Sequence, residues 1–251
     1  MAVLSTKDLS VRFGGVVANS DVNIEVPQGS LVGLIGPNGA GKTTFIDALT
    51  GFVRSTGEIT FDGERIDGWP SHKRSRAGLL RTFQSVELFE DLTVGENLLA
   101  HADPFTPGSW LTDLVRPARV EAVELAPLEL LGLEEIADEM PSELSHGTRR
   151  LVGIARALAS KPKLLLLDEP AAGLDGAETA LLGEKLRLIV DQGLATILLV
   201  DHDMELVMKV CDDIYVLNFG ALIAHGNPEE VQRDELVRSA YLGDEEGEDA
   251  A

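Results

Sequence analysis

One short stretch has the residue types and spacing to hold a phosphate. Gly36, Gly39 and Gly41 lead into Lys42, Thr43 and Thr44, which fits G-x-x-x-x-G-K-[ST]. Glycines let successive backbone N–H groups turn inward around an anion without a Cβ clash. Pro37, Asn38 and Ala40 fill the rest of the loop. A helix over 42–50 would add its unpaired N–H groups and the positive end of its dipole. Lys42 has the reach to meet the outer phosphates of a nucleoside triphosphate, and the Thr43 hydroxyl is a hard oxygen ligand for Mg²⁺. The bland alternative, a glycine-rich turn with an exposed lysine, does not explain the apolar run just before the loop.

Other reactive groups stand at comparable places. The run Leu164–Leu167 ends in Asp168-Glu169-Pro170, and the run 195–200 ends in Asp201-His202-Asp203. Taken singly, acids at a strand end are common and a histidine there is more often structural. In an open parallel sheet, however, ligands bind beyond the carboxyl ends of the strands. That arrangement gathers the glycine loop, Asp168, Glu169 and His202 around one phosphate. Asp168 then holds Mg²⁺, directly or through water, and Glu169 orients an attacking water as general base. His202 contacts the γ-phosphate or that water. Leu144-Ser145-His146-Gly147-Thr148 precedes a helix over 151–160, so the Ser145 hydroxyl and Gly147 N–H make a second anion site. Phe13 could stack on a base or fill a core; its residue type leaves both open.

These groups need positioning elements. Leu31, Val32, Leu34 and Ile35 read as a strand buried on both faces. Val22, Ile24 and Val26 alternate with polar neighbours as a half-exposed antiparallel strand. Gly51 suits a helix C-cap, and residues 57–63 read as a short strand closed by a D-G turn. Arg65, Lys73, Arg74, Arg76 and Arg81 read as a solvated helix face, with a docking patch as the alternative. From about 86 to 160 strand signals vanish. Thr93 and Glu96 have the spacing of a capping box, and a helix over 117–131 must be kinked or interrupted by Pro127. The α/β pattern returns at Lys163, with helices over 177–192 and 204–209, a hairpin over 214–224, and a helix start at Asn227-Pro228.

The reading is therefore an α/β fold: a P-loop NTPase (RecA-like) core over 1–85 and 161–243, carrying an antiparallel β subdomain. A helical subdomain, 86–160, is inserted in it, and an acidic disordered tail spans 244–251. A length of 251 residues and a hydrophobic content of 44% suit one globular domain. The net charge of −21 argues against a nucleic-acid binder and against adsorption to anionic lipid. The single cysteine, Cys211, reads as a buried inert thiol and excludes an intrachain disulfide. No signal-peptide pattern opens the chain, and no apolar run approaches the ~20 residues that span a bilayer.

From residue 3 to 243 the chain resembles the ATP-binding cassette of ABC transporters. Residues 144–148 are similar to that family's signature, Gln84 to its Q-loop, Ala172-Gly173-Leu174-Asp175 to its D-loop, and His202 to its switch histidine. Phe13 stands where the family has its adenine-stacking aromatic. Arg81-Thr82-Phe83-Gln84, Thr93-Val94-Gly95-Glu96-Asn97, Asp201-His202-Asp203-Met204 and Ala240-Tyr241-Leu242-Gly243 narrow the resemblance to importers of branched-chain amino acids, urea and amides. The resemblance implies ATP and Mg²⁺ as ligands, with Gln84 joining Thr43 and Asp168 at the metal. Two cassettes would sandwich two ATPs, so Ser145, His146, Gly147 and Thr148 act on the partner's nucleotide and Asp175 on the shared interface. It also implies membrane permease subunits, indirectly a solute-binding protein, and a place on the cytoplasmic face of the plasma membrane. His146 and Thr148 depart from the usual Gly and Gln, and Asp201 stands where the group often has Glu. A homodimer and a heterodimer both fit. Two other readings are a lipid-export cassette and an ATP-gated interaction protein without transport. The latter relatives tend to carry tandem cassettes or coiled coils, neither of which is seen here.

Overall fold

The structure is a computed structural model that describes residues 1–82, 88–102 and 125–248. Two sheets carry it. The first is antiparallel. It is built on β1 (Ala2–Phe13), which pairs with β2 (Val16–Val22), β3 (Glu25–Pro27) and β5 (Thr56–Phe61), with β6 (Glu64–Arg65) at the edge. The second has the order β11 (Ala221–Gly226), β10 (Asp213–Asn218), β4 (Leu31–Ile35), β9 (Thr196–Val200), β8 (Leu164–Asp168), β7 (Leu79–Thr82). All its pairings are parallel except that of β10 with β11.

The continuous apolar runs of β4, β8 and β9 exist because both faces of this sheet are covered. Strand side chains alternate, so each run supplies two cores. Val32, Leu34, Leu164, Leu166, Leu198 and Val200 pack with Phe45, Ile46 and Leu49 of α1 (Lys42–Thr50) and with the antiparallel sheet. Leu31, Ile35, Leu165, Leu167, Ile197 and Leu199 face the opposite way. They pack against α5 (His146–Ala159), α6 (Gly176–Asp191) and α7 (Met204–Val210). Every residue of β8 and β9 is buried. Burying each leucine contributes about 1.5–3 kcal/mol, enough for these strands to anchor the reactive residues at their ends.

Residues 88–102 and 125–159 contain no strand. α3 (Val94–Ala102) starts on a reciprocal cap: the Glu96 N–H donates to Thr93 Oγ1, and the Thr93 N–H to Glu96 Oε2. Val94 and Leu98 share a core with Leu128 and Leu131 of α4 (Ala126–Leu131) and with Leu151 and Val152 of α5. Pro127 lies in the first turn of α4, where its missing N–H costs nothing; residues 117–124 of the expected helix lie outside the described residues. Gly51 caps α1 in the left-handed conformation as expected. The chain ends with α8 (Pro228–Arg233), capped by Asn227, and α9 (Glu235–Glu248).

The structure corrects three expectations. The alternating stretch 22–26 is split between β2 and β3 at Asn23-Ile24. Thr6 makes the junction: its hydroxyl donates to Val22 O and accepts from the Ile24 N–H. Residues 244–248, expected as disordered tail, continue α9. Glutamate is a good helix former, and the helix is already nucleated at Asp234. The basic stretch 65–81 is not a uniformly solvated face. Arg74, on the short helix α2 (Ser71–Arg76), is 3% exposed. It donates to Ala48 O and Leu49 O, both at 2.7 Å, and so satisfies carbonyls that the end of α1 leaves open. Arg81 is buried for a different reason, which lies in the site.

Candidate functional site

The register of the parallel sheet brings the reactive strand ends level. Leu34 of β4 pairs with Val200 of β9, and Asp168 of β8 pairs with the same Val200. β9 therefore lies between the glycine loop and the acids. Its continuation, Asp201-His202, sits between them as well.

The loop between β4 and α1 is tightly constrained. Gly41 has φ 101°, and a Cβ there would stand 2.5 Å from Ala18 O and 2.7 Å from Asn19 Nδ2. Gly36 has φ 152°, and its Cβ would meet Leu217 O at 2.1 Å. Asn19, fully buried, donates to Gly41 O at 3.2 Å and ties the antiparallel sheet to the loop. Lys42 is 5% exposed, and its Nζ donates to Gly36 O at 2.6 Å and Pro37 O at 3.1 Å. Burial holds its ammonium below the ordinary value; the carboxylates of Glu169, Asp201 and Asp168 oppose that shift. No side chain caps the start of α1, so its first N–H groups look toward the loop.

A cavity of about 510 Å³ opens over this loop. Asn38, Gly39, Ala40, Gly41, Lys42, Thr43 and Thr44 line one end together with Glu169; Val16, Val17, Ala18, Phe219 and Gly220 line the rest. Glu169 holds a left-handed backbone, φ 47°, and its N–H donates to Val200 O at 2.7 Å. A non-glycine residue at positive φ is strained, and here the strain turns the carboxylate toward the loop. His202 Nδ1 stands 3.9 Å from Glu169 Oε1 and 3.7 Å from Asp201 Oδ1, too far for direct hydrogen bonds but close enough to share a substrate. Its ring is 55% exposed.

Two residues that sequence reasoning gave no role hold this arrangement. Asp201 is fully buried and accepts from the N–H groups of Ala171, His202 and Asp203, at 3.1, 2.8 and 3.0 Å. One carboxylate thus fastens the loop after Glu169 to the loop bearing His202. Arg81, at 6% side-chain exposure, bridges Asp47 of α1 at 2.5 Å and Asp168 at 2.7 Å. The guanidinium fork links the phosphate-loop helix, the acid at the end of β8 and the strand leading toward Gln84. Gln84 itself lies outside the described residues.

The residues present fit Mg²⁺. Thr43 and Asp168 offer a hydroxyl and a carboxylate, the hard donors that ion prefers. Among the described residues no group of three or more His, Cys, Asp or Glu could hold a metal.

Ser145, His146, Gly147 and Thr148 do not line the cavity. Ser145 is the N-cap of α5, accepting from the Thr148 N–H at 3.2 Å, and its hydroxyl is 3.0 Å from Thr148 Oγ1. Ser145 and His146 are exposed. Glu178, in the first turn of α6, accepts from both the Ser145 hydroxyl and the Gly147 N–H at 3.3 Å. Asp175 caps α6 by accepting from the N–H groups of Ala177 and Glu178. Phe13 ends β1 at 53% exposure, so it is no core residue, and it is not among the residues lining the cavity. Cys211 is buried, and burial raises its thiol far out of the reactive range.

Comparison with known proteins bears on this geometry. A family model described as ABC transporter matches residues 19–172. A second, described as branched-chain amino acid ATP-binding cassette transporter, matches residues 221–247. The chain is 43% identical to the high-affinity branched-chain amino acid transport ATP-binding protein BraF of Pseudomonas aeruginosa, over 96% of this chain and 98% of that one. It is 39% identical to the lipopolysaccharide export system ATP-binding protein LptB of Escherichia coli, over 98% and 99%. A solved ATP-binding cassette of an ABC transporter, in its ADP conformation, superposes with a TM-score of 0.82 at 30% identity, covering 97% of this chain and 99% of that one.

Proposed function

This chain belongs to the ATP-binding cassettes of ABC transporters and is an ATPase, and we propose that it energises import of branched-chain amino acids or related small polar solutes such as urea and amides. The observation that carries the chemistry is the meeting of the Gly36–Thr43 loop with Glu169 and His202 at three strand ends. The loop N–H groups and Lys42 hold the phosphates of ATP. Thr43 and Asp168, with Gln84, hold Mg²⁺, which when bound supplies neutralisation of the phosphate charge. Glu169 accepts the proton of the attacking water, and His202 holds the γ-phosphate in line. Phe13 receives the base.

Ser145, which is exposed, and Gly147 beside it, both outside the cavity, act on the ATP of a second ATP-binding subunit, identical or different. Asp175, at the start of α6, adjoins the same interface. The helices α3, α4 and α5, with Gln84, then transmit closure to membrane permease subunits, which a solute-binding protein supplies. Among the described residues no helix is long and apolar enough to cross a membrane. The subunit accordingly sits at the cytoplasmic face of the plasma membrane through the permease. A nucleic-acid partner is not part of this reading, given the net charge of −21.

The choice of solute rests on the similarity to BraF and on the model matching residues 221–247. Co-expression with the permease and binding protein encoded beside it, followed by reconstitution into vesicles, tests it. ATP-dependent uptake of leucine, isoleucine or valine, or of urea, is the expected result. A co-purifying partner that extracts lipopolysaccharide instead would overturn import and favour the export reading.

A further inference from the structure

Two donors at the start of α5 are offered to a partner's ATP: the Ser145 hydroxyl and the Gly147 N–H. Each has one hydrogen to give. In the structure both hydrogens already have takers within the chain. Glu178 Oε1 stands 3.3 Å from Ser145 Oγ and 3.3 Å from the Gly147 nitrogen. Thr148 Oγ1, 3.0 Å from Ser145 Oγ, is a second taker for the hydroxyl.

The Gly147 N–H lies in the first turn of α5 and has no acceptor one turn back, so it must find one outside the helix. Glu178 is that acceptor. Gly147 is buried although Ser145 and His146 before it are exposed. The acid covers it: a Cβ on Gly147 would stand 2.7 Å from Glu178 Oε1, 2.8 Å from Cδ and 3.1 Å from Cγ. A phosphate oxygen that took the Gly147 hydrogen would have to stand where Oε1 now stands. Glu178 is also held from its own side. Its N–H donates to Asp175 Oδ1 at 2.8 Å, and its Oε2 accepts from the Asp175 N–H at 3.3 Å.

We propose that Glu178 occupies the signature of the single subunit as an internal stand-in for phosphate, and that the partner's ATP binds there by displacing it. This rests on the reading of Ser145 and Gly147 as donors to a second subunit's ATP, and it names what regulates that step. Two anions compete for the same two hydrogens. Exchange, unlike the filling of free donors, raises the ATP concentration at which two subunits close. A neutral acceptor of the same shape yields more readily, because hydrogen bonds to an ionised acceptor are the stronger ones.

The test uses the Glu169→Gln chain, chosen to hold ATP without turnover. Sedimentation velocity gives the ATP concentration that half-maximally joins it to its cassette partner, a second copy or the different subunit that co-purifies with it. Glu178→Gln, Ser145→Ala and the double variant are compared on that background, with melting midpoints recorded without nucleotide. Glutamine serves as well as glutamate at the third position of a capping box, so Glu178→Gln keeps the start of α6. It is expected to lower the half-maximal ATP concentration about 2- to 12-fold, the weight of one competing hydrogen bond. Its melting midpoint is expected to move by less than about 3 °C. Ser145→Ala is expected to raise the ATP concentration, and the gain from Glu178→Gln is expected to shrink in the double variant, where one contested donor is gone. An unchanged or higher half-maximal ATP concentration for Glu178→Gln overturns the proposal, as does an undiminished gain in the Ser145→Ala background. A melting midpoint lowered by more than about 3 °C overturns it too, since the carboxylate is then a structural brace. If ATP joins no subunits even in the parent chain, the two-subunit reading beneath it fails instead.

Discussion

Replacing Arg81 by methionine is the sharpest test of how the site is held together. The substitution keeps much of the side-chain volume and removes the charge. Asp168, 7% exposed, then keeps a buried carboxylate without its guanidinium, and Asp47, 29% exposed, loses the same partner. At 2.7 Å and an effective dielectric near 20, Coulomb's law gives about 6 kcal/mol for the Arg81–Asp168 pair before desolvation is counted. Removing one partner of a buried pair costs about 3–5 kcal/mol, because the remaining charge is left uncompensated. For a chain of this size each kcal/mol shifts the melting midpoint by about 2–4 °C, so the expected fall is roughly 6–20 °C. The assay is thermal unfolding followed by circular dichroism, without nucleotide. The paired variant Arg81→Met with Asp168→Asn removes both charges and is expected to recover most of the loss, as neutral replacements of buried pairs do. A fall under about 3 °C for the single variant, or no recovery in the pair, would refute the idea that Arg81 anchors Asp168.

Glu169→Gln is expected to keep ATP binding and to lower turnover by at least about 100-fold, measured as phosphate release with the partner cassette present; normal hydrolysis would remove Glu169 from the base's role. Lys42→Met gives a pH signature. Because the folded protein holds Lys42 below its ordinary 10.5, the native state binds fewer protons than the unfolded state between the folded value and 10.5. Wild-type stability relative to Lys42→Met is therefore expected to rise with pH across that alkaline window, as read by urea midpoints; a flat or falling difference would contradict burial as the dominant effect.

The phosphate loop, the caps at Thr93 and Asn227, the Asp62-Gly63 turn and the buried leucine strand over 164–167 were all legible from the sequence. Each depends on groups within a few residues of one another, so spacing and residue type suffice. Arg74 and Arg81 were not legible. Their partners are 25 or 26 residues away at Leu49 and Ala48, and 87 away at Asp168, and nothing local separates them from the exposed Arg76. The strand 22–26 was misjudged because its break depends on the Thr6 hydroxyl, which only sheet pairing brings there.

The sequence alone determined the chemistry available: a glycine loop for phosphate, acids and a histidine at strand ends, and a signature outside the loop. Those are short-range facts of backbone freedom and side-chain type. The tertiary structure decided which groups share a site. Parallel pairing sets Asp168 level with Val200 and so brings Glu169 and His202 within reach of the loop. The same packing buries Asp201 and Arg81 as the fasteners. It also leaves Ser145 facing away from the cavity its own chain builds. Strand order and burial are properties of the whole packed sheet, and no local stretch of residues contains them.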